Sequence, residues 1–359
     1  MLLTQKTFPC KQCGASQVFY TKGGILRCEY CKSETKITPP NKKIVEHPFK
    51  NITSNVASLP KNKLKCPSCS ASFDLDPFKK SSKCPFCKTP IVSNLDLFMP
   101  IAIESILPFK ISKQQSEKIF KKWIKSLWLA PAKLKTKQNN SFKLVGVYIP
   151  YWTFDSFATA TYRGLRGKIY HQNINTQVVE NGKLVNKRVT LTKTKWTPVS
   201  GEVKRAFDDV LIGATKSISR RLTDSLAPWD LQNLLPYDDR YLSGFESEVY
   251  QVDLQDSFKF AKDVIRYLIT QDIRAQIGGD KQKITYLNVT HSNVTYKHIL
   301  LPIWYGEFLH DNKKYNFTIN ARTGKIKGER PYSKIKIFII VFVVLVLIIL
   351  ITLGSNGRF

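Results

Sequence analysis

The sequence predicts an α+β fold with metal-stapled N-terminal modules and one membrane span, and three observations carry that prediction. All eight cysteines fall in two frames of identical spacing, Cys10-x-x-Cys13 with Cys28-x-x-Cys31, and Cys66-x-x-Cys69 with Cys84-x-x-Cys87. The middle of the chain mixes runs of β-branched and aromatic residues with helical patterns. Residues 337–353, IFIIVFVVLVLIILITL, contain no charge.

A C-x-x-C turn aims two thiolates at one point and leaves backbone N–H groups free to bond the sulfurs. Two such turns joined by a hairpin make a tetrahedral four-sulfur site, which suits Zn²⁺. Lys22-Gly23-Gly24 lies where the first hairpin must reverse, between Val18-Phe19-Tyr20 and Ile25-Leu26. Phe73 and Leu75 precede the second reversal, near Asp76-Pro77. Both blocks read as zinc ribbons, residues 1–36 and 64–95. Residues 37–63, with Pro39-Pro40, Pro48 and Pro60, read as a linker. Two structural Zn²⁺ ions are expected, one on Cys10, Cys13, Cys28 and Cys31, the other on Cys66, Cys69, Cys84 and Cys87. Rubredoxin-type iron and redox chemistry are the competing uses of such a site. A catalytic zinc keeps an open position and four cysteines leave none, so the metal is expected to staple modules too small to bury a core. The opening MLLTQKTFPC holds no apolar run long enough for a signal peptide, so a reducing cytoplasm is expected around the cysteines.

Behind the ribbons, residues 96–333 are expected to form an α+β domain with antiparallel sheet. Residues 96–110 are apolar and punctuated by proline. Ser112 reads as an N-cap, followed by Ile119, Phe120, Trp123, Ile124, Leu127 and Trp128 at three- and four-residue steps. A folded region follows directly. This helix therefore reads as packed on that region rather than lying on a membrane surface, although Lys113, Lys118, Lys121, Lys122 and Lys125 occupy its other faces. Strands are expected at Phe142–Tyr148, Thr153–Tyr162, Lys187–Trp196 and Val203–Ile212, with a hairpin turn at Asn181-Gly182. Helices are expected at Thr215–Leu226 and Ser257–Gln276, the second ended by Gly278-Gly279. Four further strands follow, Ile284–Asn288, Val294–Ile299, Trp304–His310 and Tyr315–Asn320, with Asp311-Asn312 turning the last pair. The apolar run then reads as a transmembrane helix over residues 334–354, with a short tail at 355–359. Arg322, Lys325, Lys327, Arg330, Lys334 and Lys336 precede it and Arg358 alone follows, which places the N-terminal part in the cytoplasm. A single-pass, tail-anchored protein of the cell membrane is expected.

The formal net charge is +29, from 56 Lys+Arg against 27 Asp+Glu. That balance suits nucleic acid, anionic lipid or an acidic protein. Its dispersal also suits a solvated surface in a lysine-rich composition. Enzymatic signatures are missing. Gly164-Leu165-Arg166-Gly167-Lys168 has the wrong spacing for a P-loop and carries Ile169 where Ser or Thr must stand. No G-x-S-x-G or H-E-x-x-H occurs. His47, His171, His291, His298 and His310 read as surface or satisfied histidines, His291 and His298 on opposite faces of strands. Asp208-Asp209 and Asp238-Asp239 read as solvated loop pairs rather than Mg²⁺ sites.

The runs ILPFKISKQQSEKIFKKWIKSLWLAPAKLK, GVYIPYWTFDSFATATYRGLRG, FDDVLIGA, APWDL, YLSGFESEVY and HILLPIWYGEFLHDNKKYNFTINARTGKIKGERPYSKIKI resemble one bacterial family. Its members carry N-terminal zinc ribbons and one C-terminal transmembrane helix. They are often catalogued, by the ribbons alone, as primosomal DNA helicase (replication factor Y) or as transcription-factor-type zinc-ribbon proteins. The resemblance implies a non-enzymatic membrane protein. It also implies a cytoplasmic protein partner, of the phage-shock or band-seven type for some relatives. Trp152, Phe154, Asp155, Gly164, Gly167, Asn320, Thr323 and Gly324 carry over as structural positions. The first ribbon is variable in the family, whereas both are complete here. The reading is a membrane-anchored adaptor whose ribbons hold a protein partner; the alternative is a membrane-tethered nucleic-acid binder.

Overall fold

A computed structural model describes residues 5–49, 62–76, 78–93, 99–136, 142–180 and 183–356. The Asn181-Gly182 turn, Pro77 and the middle of the linker, residues 50–61, lie outside the described residues, as do residues 94–98 and the end of the tail.

Strands β1 (Gln5–Lys6), β2 (Gln17–Tyr20), β3 (Ile25–Cys28) and β4 (Glu34–Lys36) open the chain. β5 (His47–Pro48), β6 (Asn62–Lys65), β7 (Ser72–Leu75), β8 (Lys79–Lys83), β9 (Pro90–Ser93) and β10 (Ser105–Ile106) follow. Helices α1 (Lys113–Ser126) and α2 (Ala132–Thr136) lead to two very long strands, β11 (Phe142–Glu180) and β12 (Lys183–Gly213). After α3 (Arg220–Asp224) come β13 (Leu235–Pro236), β14 (Glu246–Glu248) and α4 (Leu254–Ile277). β15 (Lys281–His310), β16 (Lys313–Asn320), β17 (Ile326–Gly328) and α5 (Lys334–Asn356) complete it. The architecture is α+β. A 12-stranded sheet, mostly antiparallel with short parallel pairs β10–β15 and β11–β14, centres on β11 and β15.

The four strands expected between residues 142 and 212 are two, and the three expected between 284 and 310 are one. Proline marks three of the four expected breaks, at Pro150, Pro198 and Pro302, yet the strands run through. Pro150 falls between the pairing of β11 with β14, at Val147 and Tyr148, and with β12, from Tyr151. Pro302 falls between the pairing of β15 with β10, at Ile299 and Leu300, and with β16, from Ile303. A missing N–H costs a ladder nothing where one neighbour ends and the next has not begun.

The core lies on both faces of the sheet. Trp152, Phe154, Ala158 and Ala160 pack against α4, whose Ala261, Ile265, Ile269, Ile273 and Ile277 are buried. On the other face Val147, Ile149 and Tyr151 pack under Ile218 and Leu226. Burial on both faces explains the near-continuous apolar run there. α1 begins at Ser112, which forms a capping box with Gln115, and buries Phe120 and Ile124 against Phe308 and Phe317. The helix expected over Thr215–Leu226 shrinks to α3. Thr215 Oγ1 donates to Glu248 and accepts from the Ser217 N–H, local bonds that compete with a helical turn.

His291 and His298 lie on the same face, not opposite ones. Thr295 pairs with Asp155 and Ser292 with Phe157, so β15 holds one residue more than β11, and Asn293 takes φ +52°. This bulge reverses the alternation. His298 then stacks beside Trp152 and His291 beside Phe258, both in the α4 core.

Candidate metal centres

Each cysteine pair sits on a knuckle of one design. The N–H of the first cysteine donates to the carbonyl five residues on: Cys10 to Ala15 at 2.7 Å, Cys28 to Ser33 at 2.9 Å, Cys66 to Ala71 at 2.8 Å and Cys84 to Thr89 at 2.9 Å. The residue after the second cysteine turns left-handed in all four: Gly14, Lys32, Ser70 and Lys88, at φ +72°, +64°, +59° and +64°. Gly23 and Gly24, also at positive φ, reverse the first hairpin.

The knuckles bring each set of four sulfurs within 4.8 Å of one another. Cys10 and Cys31 lie 3.6 Å apart and Cys13 and Cys28 3.5 Å; Cys66 and Cys87 lie 3.6 Å apart and Cys69 and Cys84 3.8 Å. A disulfide needs about 2.05 Å. A tetrahedron with Zn–S bonds of about 2.3 Å has S···S edges near 3.8 Å, so both tetrads have the size of a closed zinc site. Ser33 Oγ stands 2.9 Å from Cys10 Sγ and 3.1 Å from Cys31 Sγ, and Thr89 Oγ1 3.1 Å from Cys87 Sγ. The Ser33 and Thr89 hydroxyls bring Cys10 and Cys87 down to about 6, while burial and the neighbouring sulfurs push Cys13 up to about 11 and Cys69 up to about 12.

One cysteine of each knuckle is buried (Cys10, Cys28, Cys66, Cys84) and its partner exposed. The second knuckle of each frame also carries an exposed aromatic at the same place: Tyr30, 81% exposed, and Phe86, 65% exposed. These two residues, and the matched hydroxyls of Ser33 and Thr89, belong to no spacing motif of their own. Laying one frame on the other, 56 residues apart, reveals both pairs.

Neither ribbon stands away from the core. Phe19 and Leu26 join the main cluster, with the Phe19 ring 5.3 Å from that of Tyr241, and the Phe19 N–H donates to the Ser243 carbonyl. In the second block β8 pairs with β9 and β14, and β1 pairs with β9, so its last hairpin belongs to the large sheet. The described part of the stretch read as linker also packs down. β5 pairs with β15, and the Arg240 guanidinium donates to the Thr38 carbonyl.

A third cluster escapes sequence reasoning altogether. Glu46, Asp155 and Asp208 bring carboxylate oxygens within 4.8 Å, although over a hundred residues separate the first from the second. Lys297 supplies the counter-charge, 2.9 Å from both Glu46 and Asp209. Burial and the neighbouring Glu46 push Asp155 up to about 6, while the hydrogen bond to Asp155 and the Lys297 ammonium hold Glu46 low. The acidic pairs are engaged rather than loosely solvated. Asp209 faces Lys297, Asp238 holds Arg240 at 2.6 Å and Asp239 holds Lys6 at 2.6 Å.

α5 is the one described helix long and apolar enough to cross a membrane, and none of its apolar stretch is buried. Its root is fastened to the loop after α1. The Ser333 N–H donates to the Leu129 carbonyl, and Lys336 Nζ donates to those of Trp128 and Ala130 at 2.9 Å. Trp128 and Tyr332 stand exposed beside that root.

No family model matches the chain, and no solved structure matches it. It is similar to the uncharacterized protein YdjG of Bacillus subtilis (strain 168), 25% identical over 238 residues. The match spans 66% of either chain, just under two thirds.

Proposed function

We propose that the protein is a non-enzymatic adaptor, anchored in the cell membrane by α5, whose two zinc ribbons recruit a cytoplasmic protein partner. The observation that carries this reading is the repeated pair Tyr30 and Phe86. Large aromatics left in water at the same place in two ribbons have no use in the core. Exposed aromatics are the usual anchors of protein interfaces. In this reading each zinc closes a four-sulfur staple and holds the aromatic rigidly outward, so little side-chain entropy is lost on binding.

Trp128 and Tyr332, beside Lys334 and Lys336, have the aromatic-and-basic composition of a membrane interface, which supports insertion of α5 at that root. The basic residues before α5 favour a cytoplasmic N-terminal part. A partner of the phage-shock or band-seven type follows from the resemblance alone. Catalysis is left out because the sequence carries no nucleotide or hydrolase motif.

The test compares native protein with Tyr30→Ala/Phe86→Ala, both crosslinked in membranes, solubilised and treated with nuclease. The reading expects a stoichiometric partner with the native chain and its loss in the variant, at unchanged zinc content. A partner held equally by both would refute recruitment through the ribbons.

A further inference from the structure

We propose that the far end of the long hairpin is a docking arm for duplex DNA. β15 leaves the hairpin at Lys281, which faces Gly167. From Lys168 opposite Lys195 to Glu180 opposite Lys183, β11 and β12 pair with each other alone. Those thirteen rows extend about 43 Å. A two-stranded ribbon that projects into solvent buries little and contributes little to stability. Its residues answer to something outside the fold.

The arm and its base are cationic. Residues 163–197 hold eight Lys and Arg against one acid, Glu180. On one face Lys168 stands directly opposite Lys195, with Lys193 opposite Tyr170 two rows further out. Like charges placed opposite one another weaken a sheet. Among the described residues none of these three lysines has a salt bridge, and all three are exposed. The other face presents Asn173, Asn175, Gln177 and Asn186, a row of amides. Cations for phosphate and amides for base edges are the two contact classes of DNA recognition.

Size and place select the ligand. A two-stranded ribbon fits a B-DNA major groove of about 12 Å, whereas the deep, narrow groove of A-form RNA excludes it. Lys168 lies 26 residues along β11 from Phe142, which packs beside α1 near the root of α5. That is roughly 85 Å measured along the strand. The lysines thus lie a long way along the strand from the segment that packs beside α1, which favours a duplex over lipid headgroups, and the vesicle measurement below separates the two. The site uses no ribbon residue and stands apart from the recruitment reading.

The experiment uses the full chain in uncharged phosphatidylcholine nanodiscs. A fluorescent duplex of roughly 30 base pairs is titrated by anisotropy between about 50 and 200 mM salt. Lys168→Gln/Lys193→Gln/Lys195→Gln is compared with Lys118→Gln/Lys121→Gln/Lys122→Gln, which removes the same charge from exposed positions on α1. All six lysines are exposed, so both variants should keep native circular dichroism and zinc content. The arm variant should lose at least about tenfold in affinity, and its salt slope should shrink by about 2.7, or 0.9 per lost phosphate contact. The α1 variant should stay within about twofold of native. Three results would each overturn the proposal: no duplex binding at low salt, equal losses in both variants, or an arm variant that keeps duplex binding and loses only adsorption to phosphatidylserine vesicles.

Discussion

His298 shows how much one buried side chain can control. It is 3% exposed, its Nδ1 lies 3.2 Å from the Ala102 carbonyl, and burial pushes its pKa down to about 4. The folded protein therefore holds it neutral, while the unfolded chain takes up a proton below about 6.5. Between those values the unfolded state binds more protons, so stability falls as pH drops from about 6.5 to 4, by ~3 kcal/mol at most. His298→Asn keeps a donor toward Ala102 and removes the titration. Denaturation midpoints at pH 7 and pH 4.5 should differ less in this variant than in the native chain; an equal difference would place the acid sensitivity elsewhere. The knuckles yield a second prediction at this scale. Lys88 takes φ +64° outside any helix, a conformation costing a side chain about 1 kcal/mol. Lys88→Gly should raise thermal stability by a few degrees in the zinc-loaded protein, and a fall would mean that the lysine contributes more than its backbone costs. His298 also marks a limit of the sequence. Its neighbours are set by the bulge at Asn293, and no spacing rule announces an extra residue in a strand. The cysteines were legible because their spacing is their chemistry.

At the scale of elements, local signals were readable and long-range ones were not. The Ser112 cap, the Gly278 end of α4 at φ +65° and the Asp311-Asn312 turn at φ +47° and +59° follow from side chains acting on their own backbone. Strand length does not. β11 runs through Pro150 because β14 and β12 leave a gap beside it, and nothing within the GVYIPYWTF segment records where its neighbours stop. Thr215–Leu226 misled for the opposite reason, since Glu248, far along the chain, draws the Thr215 hydroxyl out of a helical role. The capping box is the cleanest place to test an element. Ser112 Oγ accepts the Gln115 N–H at 3.3 Å, and the Gln115 side chain accepts the Ser112 N–H at 2.8 Å. Ser112→Ala should cost about 1 kcal/mol. The loss should appear as faster hydrogen exchange over the first turn of α1, with Phe120 and its neighbours unchanged. Faster exchange along the whole helix would show that the cap holds α1 to the sheet rather than merely starting it.

For the whole molecule, the ribbons' attachment decides how the parts respond together. Ribbons on a flexible linker would lose metal without disturbing the sheet. Here Phe19 packs among Tyr241 and Phe245, and Phe245 stacks on Phe109 at 4.0 Å in the main core. β8 pairs with β14, which pairs with β11 at Val147 and Tyr148. A tetrad without a metal loses the bonds that tie its two knuckles together, and a ribbon buries too little to fold alone. The aromatic cluster and the β8–β14 seam then lose one wall, and the disturbance reaches β11. Zinc chelation in mild detergent should therefore speed hydrogen exchange in Leu144–Tyr148 and in β14, and lower the melting temperature of the main unfolding transition. Segments far from the ribbons set the comparison: the α4 core around Ile265 and Ile269 should slow or quicken only with global stability. If exchange rose in the cysteine blocks alone, with Leu144–Tyr148 as protected as before, the ribbons would be independent modules. Metal status would then be felt only within the ribbons themselves. If Leu144–Tyr148 opens, metal loss also loosens the strand that leads to the cationic arm.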